Sequence, residues 1–147
     1  MNEHSFVKSI HRKLPKEIYV WKIADRYSGG VPDAMYAGPN GILFIEYKFV
    51  KALPKKPETL IKTTLSPLQT QWITRMQNWN HSVLLVIGFP DKTCLVMNSL
   101  TNIISRTYYD LNQQSTSKLI RMITEQTLGI ENANSDSSTK FKTDLGR

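Results

Sequence analysis

Three ionisable residues, Asp33, Glu46 and Lys48, stand at the ends of two apolar segments that a tight turn joins. The turn at 38–41 reads Gly-Pro-Asn-Gly, and such a turn between two apolar runs predicts a β-hairpin. Side chains alternate along a strand, so Glu46 and Lys48 point to the same face. Asp33 begins the partner strand and can meet Glu46 across the hairpin. Because buried charges require partners, we predict that the three groups converge.

Two carboxylates beside an amine form a donor set suited to a hard divalent cation. Mg²⁺ prefers oxygen ligands, which are carboxylates together with backbone carbonyls and water. Asp33 and Glu46 supply two acids, and the backbone carbonyl of Tyr47 can supply a third oxygen. A cation there would lower the pKa of a bound water and polarise a phosphate. Lys48 would orient or help to deprotonate that water, or offset charge that develops at phosphorus. We therefore predict a site for one or two Mg²⁺ ions, with Mn²⁺ able to substitute.

An amphipathic helix over residues 2–14 precedes the strands that carry these groups. Glu3 lies on the apolar stripe of this helix, four residues before Val7. Two explanations are open: the helix dipole favours an acid in the first turn, or the stripe faces the sheet and Glu3 reaches the acidic cluster. Strands predicted over 18–23, 32–37 and 42–48 complete a meander. In the loop before the second strand, adjacent glycines permit close approach of a phosphate or simply make the turn.

A second helix is predicted to begin at Ser66-Pro67, where an N-cap hydroxyl precedes a proline at the first helical position. Four large apolar residues follow at helical spacing: Leu68, Trp72, Met76 and Trp79. We expect this stripe to pack on the sheet rather than to stack on bases. Gln69 lies on the predicted buried flank, so its amide requires a partner, which is a catalytic residue, water or backbone.

The second half of the chain continues the α/β pattern. Residues 83–87 are continuously apolar, which is typical of a central strand covered on both faces. Residues 93–97 form the next predicted strand, and 98–113 fit no single pattern. An amphipathic helix is predicted over 117–128, ended by Gly129.

The composition indicates one globular domain over residues 1–130, since 40% of the 147 residues are hydrophobic. Residues 131–147 are mostly Asn, Ser, Asp, Thr and Lys, which predicts a disordered polar tail. No apolar run approaches the ~18 residues that a membrane span requires. No signal-peptide pattern begins the chain. We therefore expect a soluble cytoplasmic protein that does not contact a membrane.

Positive charge exceeds negative charge, with 19 lysines and arginines against 12 acids and a net charge of +7. This balance favours a polyanionic partner such as nucleic acid. The segment after Lys48 shows no helical or alternating period, and we predict a long basic loop there. Four lysines in this loop are candidates for contacting a DNA or RNA backbone: Lys51, Lys55, Lys56 and Lys62. The alternative is a solvated loop with no partner.

Several other classes of protein are disfavoured by the sequence. The single cysteine, Cys94, excludes an intrachain disulfide and a cysteine-based zinc module. The three histidines lack metal-ligand spacing with one another or with Cys94, which disfavours a zinc hydrolase. No Gly-x-Ser-x-Gly, P-loop or dinucleotide fingerprint occurs.

The pair Pro32-Asp33 followed by Glu46-Tyr47-Lys48 resembles the PD-(D/E)xK nuclease pattern. The Gly-Val that precedes it and the Leu-Ser-Pro-Leu-Gln-x-x-Trp run at 65–72 resemble the VRR-NUC branch of that superfamily. The resemblance implies an α/β, restriction-endonuclease-like core in the order helix, three strands, helix, strand, with a mixed sheet flanked by helices. It also implies that Gln69 belongs to the site, and that an acid of the first helix, here Glu3, joins it.

Small stand-alone proteins of this kind look like phage or prophage products and are similar to dimeric, structure-selective DNA endonucleases, including Holliday-junction resolvases. The resemblance therefore implies a Mg²⁺-dependent endonuclease that acts on branched DNA as a homodimer, in a bacterial or phage-infected cell. The helix at 117–128 or the strand at 93–97 would supply the dimer surface or complete the monomer core. The competing hypothesis is a non-catalytic nucleic-acid-binding module that uses the basic loop 51–62. In that case Asp33 and Glu46 would pair with Lys48 structurally.

Overall fold

The computed structural model describes residues 1–25, 27–61, 64–98 and 113–133, together with the backbone of 106–107. Within these residues no helix has both the length and the apolar character needed to cross a bilayer. The first half of the chain forms α1 (Glu3–Lys13), β1 (Tyr19–Lys22), β2 (Ala34–Gly38), β3 (Gly41–Phe49), β4 (Leu60–Ile61) and α2 (Pro67–Asn78). The second half forms β5 (Ser82–Gly88), β6 (Thr93–Met97), β7 (Arg106–Thr107), β8 (Gln114–Ser115), α3 (Thr116–Leu128) and α4 (Ile130–Ala133).

The described strands form a mixed sheet of six strands in the order β1-β2-β3-β5-β6-β8. The meander β1-β2-β3 is antiparallel, and β3 then pairs with β5 in parallel. Parallel neighbours require a crossover, and α2 lies within the connection that supplies it. The predicted order of helix, three strands, helix and strand is thus confirmed, with the two-residue strand β4, paired to β7, as an addition.

The β2–β3 hairpin separates two environments. Its inner face packs beneath α1 and α3 in the main core and presents Tyr36, Leu43, Ile45 and Tyr47. Its outer face carries Phe44, Glu46 and Lys48, because side chains alternate along the strand. The main core also includes Phe6 and Ile10 of α1 and Leu119 and Ile123 of α3. Since α3 completes this core, the helix predicted at 117–128 contributes to the stability of the monomer.

Local signals in the sequence fix the ends of several elements. Asn2 and Ser66 cap α1 and α2, each through a reciprocal capping box with the third helical residue. Gly129 ends α3 with a φ of 99°, a conformation that favours glycine. Strand β5 is buried from Val83 to Gly88, which confirms a central strand covered on both faces.

One expectation differs from the structure. The predicted apolar stripe on α2 does not pack as a whole, because Leu68 and Trp79 are 53% and 60% exposed and Ile73 is the buried residue. Residues 131–133 of the predicted polar tail form the end of α4, and residues 134–147 lie outside the described residues. Most of the segment 98–113 is likewise outside them.

Candidate active site

The Glu46 carboxylate is the centre of the candidate site. Its side chain projects from the outer face of β3 and the residue is only 2% exposed. Its Oε1 accepts a hydrogen bond from Gln69 Nε2 at 2.6 Å and lies 3.3 Å from Lys48 Nζ. Its Oε2 is buried and has no hydrogen-bond partner among the described residues. One carboxylate oxygen is therefore held in place, while the other lacks the partner that burial demands.

The first turn of α2 positions Gln69 against this carboxylate. Gln69 Nε2 donates to Glu46, and its Oε1 accepts from the backbone N–H of Ser66 at 2.9 Å. Lys48 Nζ also donates to that Oε1, at 3.4 Å. A single side chain thus closes the helix cap and bridges the helix to both ionisable groups of β3. The Gln69 amide therefore has two of the three kinds of partner that the sequence suggested, a candidate catalytic residue and a backbone group.

Asp33 lies where the β2–β3 ladder ends. The last backbone pair joins Ala34 to Ile45, and beyond it Asp33 Oδ2 accepts the N–H of Tyr47 at 2.8 Å. The N–H and C=O of one strand residue point to the same side. The carbonyl of Tyr47 therefore points to the edge of β3 at which Asp33 lies. Asp33 thus contacts β3 next to Glu46, and the two acids, which were expected to meet across the hairpin, interact electrostatically.

Burial raises the pKa values of both acids, and the charge of Asp33 adds to the shift at Glu46. The pKa of Glu46 rises to about 7, first because burial disfavours its charge and then because of Asp33, while Lys48 opposes the shift. Burial also raises the pKa of Asp33, against the lowering effects of the Tyr47 N–H and of Lys48. Because Asp33 and Glu46 share the ammonium of Lys48, the two carboxyl groups do not readily ionise together. A bound cation would reduce the repulsion between the two carboxylates.

Glu3 lies in the first turn of α1 and interacts with the cluster electrostatically. Burial raises its pKa, and the negative charge of Asp33 raises it further. Glu3 in turn contributes to the raised pKa of Glu46. The structure therefore supports the explanation in which Glu3 approaches the acidic cluster, and the position in the first turn is also favourable to the helix dipole.

The oxygen ligands at this site fit a hard divalent cation that takes only a few of its ligands from the protein. Within the described residues no group of three or more His, Cys, Asp or Glu side chains converges as a metal cage. Two carboxylates and a strand carbonyl remain, which suits Mg²⁺ because this ion keeps several waters when it binds to proteins. The unpartnered Glu46 Oε2 is the observation that favours a fit, since a cation would satisfy it.

The two adjacent glycines before Asp33 allow their loop to pack closely against α2. Gly30 has a φ of +91°, and a Cβ at this position would collide with the carbonyl oxygen of Leu68. A Cβ on Gly29 would collide with the Leu68 side chain. The loop therefore packs directly on the first turn of α2, and this contact joins the segment that carries Asp33 to the helix that carries Gln69.

The basic loop presents its lysines to solvent. Lys51, Lys55 and Lys56 are exposed, and Lys62 lies outside the described residues. No described hydrogen bond or ion pair within 4.0 Å joins these three lysines to the carboxylates. The structure thus brings Asp33, Glu46, Lys48 and Gln69 together, whereas the loop lysines form a separate charged region.

A buried chain of polar groups beneath the site was not foreseen. His11 Nε2 and the Tyr36 hydroxyl are 2.7 Å apart, and the Tyr36 and Tyr47 hydroxyls are 2.6 Å apart. Burial, assisted by the positive charge of Lys22, lowers the pKa of His11 to about 4. The available signal was that two tyrosines occupy inward strand positions, where buried phenols require partners.

The described architecture, a mixed sheet flanked by helices, defines a restriction-endonuclease-like α/β fold. No family model and no curated protein matches the sequence. Among solved structures, the chain is similar to Hjc, a Holliday junction resolvase from the archaeal hyperthermophile Archaeoglobus fulgidus. The TM-score is 0.52 at 13% identity, with 82% of this chain and 97% of Hjc covered. At this level of identity the similarity establishes the fold.

Proposed function

We propose that the protein is a metal-dependent DNA endonuclease of the PD-(D/E)xK type, in the VRR-NUC branch, that cleaves branched DNA. The observation that carries the proposal is the buried Glu46 carboxylate, which Gln69 and Lys48 hold through one oxygen beside Asp33. A fold shared with a Holliday junction resolvase supports DNA as substrate and branch points as its preferred form. The net charge of +7 is consistent with a polyanionic substrate.

Each residue of the cluster has a distinct role in this proposal. Asp33, Glu46 and the Tyr47 carbonyl would hold Mg²⁺, which Mn²⁺ can replace. When bound, the ion supplies Lewis acidity and lowers the pKa of water. Gln69 fixes the Glu46 carboxylate in one orientation. Lys48, whose side chain is 25% exposed, is paired with the Glu46 carboxylate and also reaches solvent. Its neutral amine would accept a proton from water, or its ammonium would stabilise negative charge on the phosphate. Glu3 adds negative charge that strengthens cation binding.

The decisive test is cleavage by Asp33→Asn in Mg²⁺, compared with wild type and with Asp25→Asn. Asp25 is an exposed acid eight positions earlier that accepts hydrogen bonds from the N–H groups of Tyr27 and Ser28, and asparagine retains both. We expect Asp33→Asn to lose cleavage of plasmid and junction DNA while it folds and binds DNA normally, whereas Asp25→Asn cuts like wild type. Wild-type cleavage by Asp33→Asn would reject the nuclease.

Substrate preference is tested separately with linear duplex, flap, fork and four-way junction of equal length. We expect the junction and other branched forms to be cut faster than linear duplex. Symmetric cleavage of two strands requires two sites related by a two-fold axis, so the proposal includes a homodimer. Sedimentation equilibrium measures this state directly. Equal rates on all four substrates would reject branch selectivity but leave the nuclease intact.

A non-catalytic nucleic-acid-binding module is the second candidate. The 3.3 Å ion pair between Lys48 and Glu46 favours it, because an ion pair is also a structural role for these groups. The exposed lysines of the loop 51–62 would then carry the function. Titration calorimetry with Mn²⁺ separates the two candidates: heat that Asp33→Asn abolishes supports the nuclease, and no heat in either protein supports the binding module. Either function acts on DNA in the cytoplasm of a bacterial or phage-infected cell.

A further inference from the structure

The part of the sheet beyond α2 leaves large apolar side chains in contact with solvent. Tyr19 and Trp21 of β1 and Ile42 of β3 are 62%, 49% and 53% exposed. Met35 and Phe44 lie between them and are partly buried. We call these five residues the open face. Trp72 of α2 borders it and contacts the Phe44 ring edge-on, with ring centroids 5.2 Å apart.

The strand register connects the open face to the candidate active site. Trp21 pairs with Met35, and Met35 pairs with Phe44, so these side chains form one row across three strands. Glu46 follows Phe44 by two residues and projects from the same face. From strand spacings, Trp21 lies roughly 12 Å from Glu46. This distance corresponds to about three or four stacked base steps of DNA.

The exposed area argues against a second copy of the chain as the occupant of the open face, and the net charge of +7 favours a polyanion. The three half-exposed side chains present roughly 300 Å² of surface, whereas a stable protein interface buries about 800 Å² on each partner. Exposed aromatic side chains on a chain of net positive charge instead match the way in which proteins bind single-stranded nucleic acid.

We propose that the open face stacks unpaired bases of the DNA strand whose phosphate would lie beside the candidate active site. Trp21 is the main stacking platform, and Tyr19 extends it by one row. Flaps, forks and open junctions supply unpaired bases next to the cleaved strand, whereas a linear duplex does not. The open face would therefore confer preference for branched substrates. This inference rests on the proposed nuclease only for the position of the phosphate, since stacking itself requires no cleavage.

The experiment compares Trp21→Phe with Trp21→Leu in the full-length chain, in EDTA so that metal-dependent cleavage does not occur. Phenylalanine keeps an aromatic face, while leucine keeps apolar volume without one. The probe is a single-stranded oligonucleotide that contains 2-aminopurine, and binding is measured by anisotropy and by quenching. We expect Trp21→Leu to bind about tenfold more weakly with its salt slope unchanged, because stacking releases no counterions. Trp21→Phe should remain within about threefold of wild type.

Control measurements make each outcome informative. Ile130→Ala removes an apolar side chain that is 66% exposed on α4, and it should bind like wild type. Tyr19→Leu should weaken binding in the same direction as Trp21→Leu.

Equal affinity of Trp21→Leu and wild type would overturn the proposal, as would equal weakening by leucine and phenylalanine. A change of oligomeric state in Trp21→Leu by sedimentation would also overturn it and identify the open face as an interface between copies. Loss of stacking with normal cleavage would leave the nuclease standing, whereas stacking without cleavage in Mg²⁺ would reject only the nuclease.

Discussion

The inner and outer faces of the β2–β3 hairpin differ in how their polar groups are satisfied. On the inner face the Tyr36 and Tyr47 hydroxyls bond to each other, and Tyr36 also bonds to His11 of α1, whose Nδ1 is buried without a partner among the described residues. On the outer face the buried Glu46 carboxylate has one oxygen bonded and one without a partner in the described part of the chain. Alternate residues of β3 therefore face two environments. One is an interior in which most polar groups are hydrogen-bonded, and the other is an acidic cluster in which the pKa values of the carboxyl groups are raised.

This difference indicates that the two faces serve different purposes. The inner face combines apolar burial with hydrogen bonds and stabilises the fold under α1 and α3. The outer face retains acids whose charges repel one another, an arrangement that lowers stability and is typical of functional sites. Substitutions on the outer face should consequently alter chemistry and pH dependence, whereas substitutions on the inner face should alter stability alone.

Among the substitutions that compare the two faces, Lys48→Met on the outer face should have the largest effect. Lys48 supplies the positive charge nearest to Glu46, at 3.3 Å, and no hydrogen-bonding group replaces it in methionine. We expect the single-turnover cleavage rate to fall about 10²–10³-fold, as when one preorganised electrostatic donor is removed from an active site. Lys8→Met, which removes an exposed lysine from α1 on the other side of the sheet, is the control and should cut at nearly the wild-type rate. Equal rates for both variants would remove Lys48 from the mechanism.

The variant Glu46→Gln tests whether the buried Glu46 carboxylate makes the free energy of unfolding depend on pH. The pKa of Glu46 is raised from its ordinary value to about 7, so the folded protein binds more protons than the unfolded chain between about pH 4.5 and 7. The free energy of unfolding of the wild type should therefore fall as pH rises through this window. Relative to Glu46→Gln, we expect a loss on the order of 2–3 kcal/mol between pH 4 and pH 8 without metal.

Urea unfolding in EDTA at four pH values measures this difference. Mg²⁺ at pH 8 should restore stability to the wild type more than to the variant, because an ion that binds only the folded state stabilises it. Parallel pH curves for wild type and Glu46→Gln would show that the carboxylate is not perturbed in the folded protein.

Tyr36→Phe tests the inner face. The substitution removes the hydroxyl that lies between His11 and Tyr47 and leaves both without that partner. We expect a decrease of roughly 2 kcal/mol in the free energy of unfolding, because buried polar groups that lose their partners carry a desolvation penalty. Tyr19→Phe removes a hydroxyl from a side chain that is 62% exposed and should change stability by less than about 0.5 kcal/mol. A large loss of cleavage in Tyr36→Phe, with stability unchanged, would contradict the division between the faces.

The outer face was the more predictable of the two from the sequence. Strand alternation places Glu46 and Lys48 together, and the turn at 38–41 sets the register that brings Asp33 to the same edge. The Ser66 cap fixes the start of α2 and therefore the position of Gln69. These are local signals, and each acts within a few residues.

The features that were missed depend on tertiary packing. Helical spacing predicted that Leu68 and Trp79 pack on the sheet, yet α2 turns Ile73 toward it, and the sequence of the helix alone does not specify this rotation. Likewise, the contact between Tyr36 and His11 joins residues 25 positions apart through the docking of α1. The local hydrophobic spacing in the sequence predicts neither this hydrogen bond nor the exposure of the open face.

The smallest expected effect concerns the basic loop that follows the outer face. Lys55→Ala/Lys56→Ala removes two exposed charges, which should reduce the salt slope of duplex binding by about 2 and weaken binding only a few-fold at physiological salt. Lys8→Ala/Lys118→Ala removes two exposed charges from α1 and α3, the helices that cover the inner face. This control should leave the slope nearly unchanged if DNA binds along the outer face. Anisotropy in EDTA at several salt concentrations measures both slopes. Equal slope changes in the two double variants would mean that DNA binding depends on total charge rather than on the outer face, because contact-specific counterion release is confined to the bound surface.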